Sequence, residues 1–239
     1  MKRALFGVML AVLLVGLSSR AFATTTDQLR ITSGGLTATI TDNGSCVGSA
    51  CTTISVDLVS APGTDSVTGT INGWNLSIVS GTTNSPGVIP FGLITSLTAS
   101  CLTASCTGGN TLDIQYSDNS FTTAPSAFMT TYSGTIGGSG STIESAYFSN
   151  SNTNFATTNL IGTVGPFSAP FGAGTAIGGV GAVAPYSLTL DQIFSSGGAN
   201  SSFSVGASVT AAPEPASLTL VGTGLIGLAG LRRRKLLQA

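Results

Sequence analysis

Residues 36–41, LTATIT, place Leu36, Ala38 and Ile40 on one face of an extended chain and three threonines on the other. Strict alternation of this kind is typical of a β-strand with one buried face. The pattern returns along the middle of the chain in five further stretches, TISVDL (53–58), WNLSI (74–78), TLDIQY (111–116), YSLTL (186–190) and FSVGASV (203–209). No stretch of this middle region has a helical period, so the sequence predicts an all-β fold.

Turn-forming residues separate these predicted strands. Examples are Asp42-Asn43-Gly44, Ser85-Pro86-Gly87 and Gly108-Gly109-Asn110. Many short strands at such intervals predict an antiparallel β-sandwich of Greek-key or jelly-roll-like type, with a barrel as the alternative. The segment 162–184 is rich in Gly, Ala and Pro, and we expect a long irregular excursion there.

The N-terminal segment has the three parts of a secretory signal peptide. Lys2 and Arg3 precede an uncharged run, and Ala21-Phe22-Ala23 supplies a small-residue cleavage site. We predict a signal helix cleaved after Ala23 by signal peptidase, with an uncleaved membrane anchor as the alternative. The predicted divisions are therefore a signal peptide (1–23), one exported domain (24–211) and a C-terminal segment (212–239).

Charge is distributed unevenly along the chain. Of its eight Lys and Arg residues, seven lie in the two terminal segments, which leaves Arg30 alone in the exported domain. That domain holds eight of the nine acids, so its formal net charge is 1 − 8 = −7. Such a balance excludes nucleic acid and anionic lipid as partners. The domain also has no lysine, although sheet edges are commonly protected by lysine, so either glycans or closed edges protect it, or edge pairing belongs to its function.

The four cysteines form two similar motifs, SCVGSACT with Cys46 and Cys51, and SCLTASCT with Cys101 and Cys106. In an exported chain this spacing predicts disulfides, and we favour Cys46 with Cys51 and Cys101 with Cys106 over the two other pairings. A four-cysteine zinc site is the alternative, but structural zinc sites usually have closer pairs. We expect no metal.

Enzymatic chemistry lacks its usual residues. The chain has no histidine, which removes the commonest general base near neutral pH. A glycosidase would need only two carboxyl groups, and the candidates for that role are Asp57, Asp113, Asp118, Glu144 and Asp191. Asp57, Asp113 and Asp191 fall on polar strand faces and Asp118-Asn119 resembles a turn, so we predict no enzyme and no cofactor.

Carbohydrate binding is a further candidate function. Exposed aromatic rings stack on sugars, and Trp74 is the candidate ligand platform, together with Tyr116, Phe121, Tyr132 and Tyr147. Trp74 alternates in phase with Leu76 and Ile78, however, which favours a core position.

The C-terminal segment begins with Pro213-Glu214-Pro215, continues as an apolar run over 216–231 and ends with Arg232, Arg233, Arg234 and Lys235. The run is short for a membrane span, but flanking basic residues on the cytoplasmic side would support a transmembrane helix that anchors the chain transiently in the inner membrane.

The order and spacing of these features resemble the PEP-CTERM sorting signal of Gram-negative bacteria. The resemblance implies processing by an exosortase near Pro213-Glu214-Pro215 and release to the cell surface or matrix, in systems associated with exopolysaccharide and biofilm. The stretches YSDNSF (116–121) and PYSLT (185–189) are similar to exported domains that carry this tail, and they imply no activity.

The predicted function is therefore a non-enzymatic surface or matrix protein sorted through its tail. The alternatives are a carbohydrate-binding module that attaches to exopolysaccharide and a secreted polysaccharide hydrolase.

Overall fold

The stretch 36–41 forms strand β2 (Leu36–Thr41), which pairs antiparallel with β1 (Gln28–Ser33). The computed structural model describes residues 27–42, 46–56, 63–83, 93–101, 110–198, 200–212 and Thr223, with residues 78–80 and 94 described through their backbone alone. Within 27–212 these residues form strands and loops, without a helix. The all-β prediction is therefore confirmed, whereas the predicted signal helix and membrane helix lie outside the described residues apart from Thr223.

The described strands form two antiparallel sheets of seven strands each. Sheet A contains, in spatial order, β11 (Asn159–Phe167), β10 (Gly140–Ser149), β13 (Tyr186–Ser196), β8 (Thr111–Phe121), β1, β2 and β3 (Cys46–Val47). Sheet B contains, in spatial order, β12 (Phe171–Gly178), β9 (Phe128–Gly137), β14 (Ser201–Ala211), β7 (Ile94–Cys101), β6 (Trp74–Thr82), β5 (Thr64–Ile71) and β4 (Ile54–Val56).

The two sheets pack face to face and share one hydrophobic core. Alternate side chains of both sheets, such as Ile31 and Leu190 of sheet A and Leu97 and Val205 of sheet B, are buried in a single cluster. A hydrogen bond also connects the two sheets: Thr130 Oγ1 of β9 donates to Glu144 Oε1 of β10 at 2.8 Å. The predicted antiparallel β-sandwich is thus the observed architecture.

Two strands from the end of the domain occupy central positions. β13 lies between β10 and β8 in sheet A, and β14 lies between β9 and β7 in sheet B. Both sheets therefore depend on pairings between strands that are far apart in the sequence. The last described sheet bond joins the Ala212 amide to the Ala127 carbonyl at 2.9 Å.

The segment 162–184 is not the irregular excursion that its composition predicts, because most of it forms β11 and β12. Its glycines allow these strands to approach closely. A Cβ at Gly178 would lie 2.1 Å from the Ile161 carbonyl oxygen, and one at Gly162 would lie 2.5 Å from Ala176 Cβ. Small residues at these positions are therefore a packing requirement rather than a sign of irregular structure.

The predicted bond between Cys46 and Cys51 is present. Cys101 is also disulfide-bonded, and its predicted partner Cys106 lies outside the described residues. The first bond closes a small ring between β3 and the turn before β4, with Cys46 opposite Ile40 of β2.

Replacing both Cys46 and Cys51 with serine should lower the free energy of unfolding by about 2 kcal/mol, because a short loop restricts the unfolded chain only slightly. The measurement is the urea midpoint by far-UV circular dichroism, with the unreduced wild type as control. A double variant that fails to fold would show that this bond has a larger role than pinning a loop.

Candidate functional site

The predicted processing residues flank the described domain. Ala23, Pro213-Glu214-Pro215 and Arg232 to Lys235 lie outside the described residues, as does the apolar run 216–231 apart from Thr223. Within the described part of the chain, no helix is long and apolar enough to cross a membrane. The last described strand, β14, ends at Ala211, two residues before Pro213.

Most of the described acidic residues of the domain are buried. Asp57 lies outside the described residues, and none of the other seven acids is fully exposed. Five are buried, namely Asp27, Asp42, Asp65, Asp118 and Glu144, while Asp113 and Asp191 are half-buried beside Arg30. The net charge of −7 therefore does not describe a negatively charged surface, and the described surface consists mainly of uncharged side chains.

Three other buried acids lie within electrostatic reach of Asp65, and we call Asp27, Asp42, Asp65 and Asp118 the interior acid cluster. Three of them accept hydrogen bonds: Asp27 Oδ2 from the Tyr116 hydroxyl at 2.7 Å, Asp42 Oδ2 from the Gly63 amide at 2.7 Å, and Asp118 Oδ2 from the Thr83 hydroxyl at 2.8 Å. Tyr116 reaches sheet B over Gly81, where a Cβ would lie 2.4 Å from its ring. Glycine is therefore required at position 81.

Asp65 differs from the other members of the interior acid cluster. Its side chain is only 2% exposed, and its Oδ2 atom is buried without a hydrogen-bond partner. Burial, and then the neighbouring carboxyl groups of Asp27, Asp42 and Asp118, raise the pKa of Asp65 to about 8. At neutral pH the Asp65 carboxyl group is therefore largely protonated.

Glu144 is a second buried carboxyl group, placed between the sheets. Its Oε1 atom accepts the Thr130 hydroxyl, while its Oε2 atom is buried without a partner. Burial raises the pKa of Glu144 to about 8, against an opposing effect of the Thr130 hydrogen bond. Glu144 is thus also largely neutral at pH 7.

A polar row crosses the outer face of sheet A, where Arg30, Gln115 and Asp191 lie opposite one another on β1, β8 and β13. Arg30 donates to the Gln115 side-chain oxygen, and its guanidinium lies 4.2 Å from the centre of the Phe155 ring. The carboxyl groups of Asp113 and Asp191 lie close enough to interact electrostatically. Burial, and then the Asp191 charge, raise the pKa of Asp113 to about 7.

Of the carboxyl groups considered for a glycosidase, Asp57 lies outside the described residues. Among the other four, Asp113 and Asp191 interact with each other, whereas Asp118 and Glu144 are buried in the interior. Asp118 and Asn119 lie within β8 rather than in the turn expected from the sequence. Glycosidase carboxyl groups stand roughly 5–9.5 Å apart on the two sides of the scissile bond, whereas Asp113 and Asp191 interact with each other and with Arg30.

The described part of the domain contains no cluster of metal ligands, and Trp74 does not form the sugar-stacking platform considered above. Among these residues, no group of three or more acidic or cysteine side chains is placed to hold a metal ion. Trp74, the candidate ligand platform, lies fully buried in the core, with its ring centre 5.8 Å from that of Phe203. Tyr116, Phe121 and Tyr132 are likewise buried, and Tyr147 is half-buried, so none of the aromatic residues proposed for sugar stacking is fully exposed.

The domain thus belongs to the class of antiparallel β-sandwich proteins, with a disulfide between Cys46 and Cys51 and few charged side chains on its described surface. Residues 211–235 match the PEP-CTERM protein-sorting motif, which confirms the resemblance seen in the sequence. This motif indicates a protein that is exported, processed by an exosortase and placed at the surface or outside the cell.

Comparison with known proteins adds little on the domain itself. No curated protein sequence matches the chain. Among solved structures, it is similar to the enzymatically active domain of tailspike protein 4 of bacteriophage CBA120, with 16% identity, a TM-score of 0.29, and coverage of 59% of this chain and 20% of that one. It is also similar to a carbohydrate-binding module of the β-sandwich superfamily, with 8% identity, a TM-score of 0.31, and coverage of 78% and 84%. Both TM-scores are low, and we base no functional argument on either.

Proposed function

We propose that this chain is a non-enzymatic protein of the extracellular or biofilm matrix, released from a transient inner-membrane anchor when an exosortase cuts near Pro213-Glu214-Pro215. The observation that carries the proposal is the position of the sorting motif, which begins at residue 211 where β14 ends. Because the last described sheet bond involves Ala212, a cut near Pro213 removes none of the described sheet hydrogen bonds.

The surface of the domain supports a matrix role over a catalytic one. The two described carboxyl groups that are partly exposed, Asp113 and Asp191, interact with each other and with Arg30, and the remaining described acids are buried. The carbohydrate-binding alternative relied on Trp74, whose ring is in the core. A surface of uncharged Ser, Thr, Asn and Gly residues suits a protein that is packed densely among neutral polymers, because it neither repels nor attracts charged neighbours strongly.

Intact-mass analysis of the exported protein tests the sorting proposal. The expected product begins at Thr24 and ends near Pro213-Glu214-Pro215, without Arg232 to Lys235. Replacing Pro213 and Glu214 with alanine should leave the full tail in place and hold the protein in the membrane fraction.

Pro170→Ala is the matched control, because Pro170 is exposed and lies outside the motif. A released product that retains Arg232 to Lys235, or equal release of the Pro213/Glu214 variant and the control, would refute exosortase processing.

A further inference from the structure

The free edges of the two sheets differ in length. At one side of the sandwich the edges are β3 with two residues and β4 with three, and at the other they are β11 with nine residues and β12 with eight. Very short edge strands offer little template for pairing with another chain, whereas long ones do. The β11 and β12 side is therefore where another strand could add.

β12 lacks the charged residues and the proline that commonly protect an edge strand, and its one irregularity lies between Phe171 and Gly174. It lies at the end of sheet B and pairs with β9 on one side only. It contains no Lys, Pro or acid, and its pairing with β9 is regular from Gly174 to Gly178. β11, by contrast, contains Pro166, which has no amide proton to donate. β12 is thus the better template of the two.

Exposed apolar side chains accompany this strand. Ile177 of β12 is 66% exposed, Val180 and Val183 in the following loop are 73% and 63% exposed, and Leu160 of β11 is 53% exposed. We call these four residues the uncharged edge. They lie on one side of the sandwich, because Gly178 packs against Ile161 and because Asn150 fixes the loop, donating to the Gly181 carbonyl and accepting the Val183 amide.

The chemistry around the uncharged edge restricts its partner. No Asp, Glu, Lys or Arg occurs between Ser145 and Leu190, so this side attracts no charged ligand. A suitable partner presents an unpaired strand, apolar side chains and no charge, and another copy of β12 meets all three requirements. Rotation about a twofold axis sets two such strands antiparallel, which matches the direction of every strand pair described in this domain.

We propose that the uncharged edge binds a second copy of this chain, with β12 of one copy pairing antiparallel to β12 of the other. Sheet B then continues across the dimer, and Ile177, Val180 and Val183 become shielded from water. The pairing uses residues far from the tail, so it does not depend on how the tail is processed.

Sedimentation velocity of the exported protein over a hundredfold concentration range tests the proposal. The wild type should sediment as a concentration-dependent dimer. Ile177→Lys introduces a charge into an apolar contact and should weaken the association about tenfold or more, because the charge loses water when the edge is covered. Val47→Lys is the matched control, because Val47 is 68% exposed on the short edge strand β3, at the opposite end of sheet A. It should leave association unchanged.

Cysteine cross-linking gives a second readout on the full chain in cells. The structure contains no free cysteine among its described residues, so Ile177→Cys introduces a thiol that a short bifunctional maleimide can capture. We expect a dimer band for Ile177→Cys and none for Val47→Cys. A wild type that stays monomeric throughout, or equal behaviour of the substitutions at positions 177 and 47, would overturn the proposal.

Discussion

Asp65→Asn is expected to stabilise the domain at pH 8 and to leave it nearly unchanged at pH 4. The wild-type carboxyl group has its pKa raised from 3.8 to about 8 in the folded protein, so the folded state holds a proton that the unfolded chain releases. The stability contributed by the neutral group is complete below pH 3.8 and is lost as the pH rises through about 8. Over that interval the free energy of unfolding should fall by about 1.4 kcal/mol per pH unit for each such group.

Glu144→Gln should act in the same direction, because burial raises the pKa of Glu144 from 4.5 to about 8. The measurement is the urea midpoint of the wild type and both variants between pH 4 and pH 8. Thr68→Asn is the control, because Thr68 is exposed on the same strand as Asp65 and its replacement changes no ionisable group, so the wild-type dependence on pH should remain. The explanation fails if the wild type becomes more stable between pH 4 and pH 8, or if the stability of Asp65→Asn falls as steeply with pH as that of the wild type.

Trp74→Ala is expected to lower the free energy of unfolding by about 3–5 kcal/mol, a large share of the roughly 5–15 kcal/mol that holds a typical domain together. Trp74 is fully buried and packs against Phe203, so its removal leaves a cavity between the sheets. Trp74→Phe is the conservative control. It should cost much less, because a ring remains and because the Trp74 Nε1 atom has no hydrogen-bond partner to lose.

Far-UV circular dichroism in urea measures both Trp74 variants, since each removes the chain's single tryptophan and with it the fluorescence probe. If Trp74→Ala folded as stably as the wild type and yet lost binding to a polysaccharide, Trp74 would be a ligand platform after all. Because Trp74 is buried, we expect the opposite result: Trp74→Ala lowers the free energy of unfolding and removes no polysaccharide binding of its own.

The described strands were largely predictable because a strand's side-chain pattern is local. The stretches around Leu36, Trp74, Leu112, Tyr186 and Phe203 all fall in strands β2, β6, β8, β13 and β14. The strands β11 and β12 were missed, because their glycines lack the apolar side chains that mark a strand. What makes glycine suitable there is the proximity of the other strand, which the sequence of one strand does not reveal.

The interior acid cluster was also missed, although its members follow the buried phase of their strands. Asp27 precedes Leu29 and Ile31, Asp65 precedes Val67, and Asp118 continues the series of Leu112, Ile114 and Tyr116. The position of these acids on the apolar face of their strands could have indicated that they are buried. Whether such a carboxyl group is neutral or paired still depends on which strands face each other, and only a neutral or paired carboxyl group can remain in the interior.

By itself the sequence determined the sorting motif, the disulfide between Cys46 and Cys51, and the all-β class, since each depends on residues that are close along the chain. The burial of five of the acids, the core position of Trp74 and the place of β12 at the end of sheet B depend on the tertiary structure. These properties arise from contacts between distant strands, in particular from the insertion of β13 and β14 into the centres of the two sheets. Local periodicity gives the face on which a side chain lies, and strand order decides what that face meets.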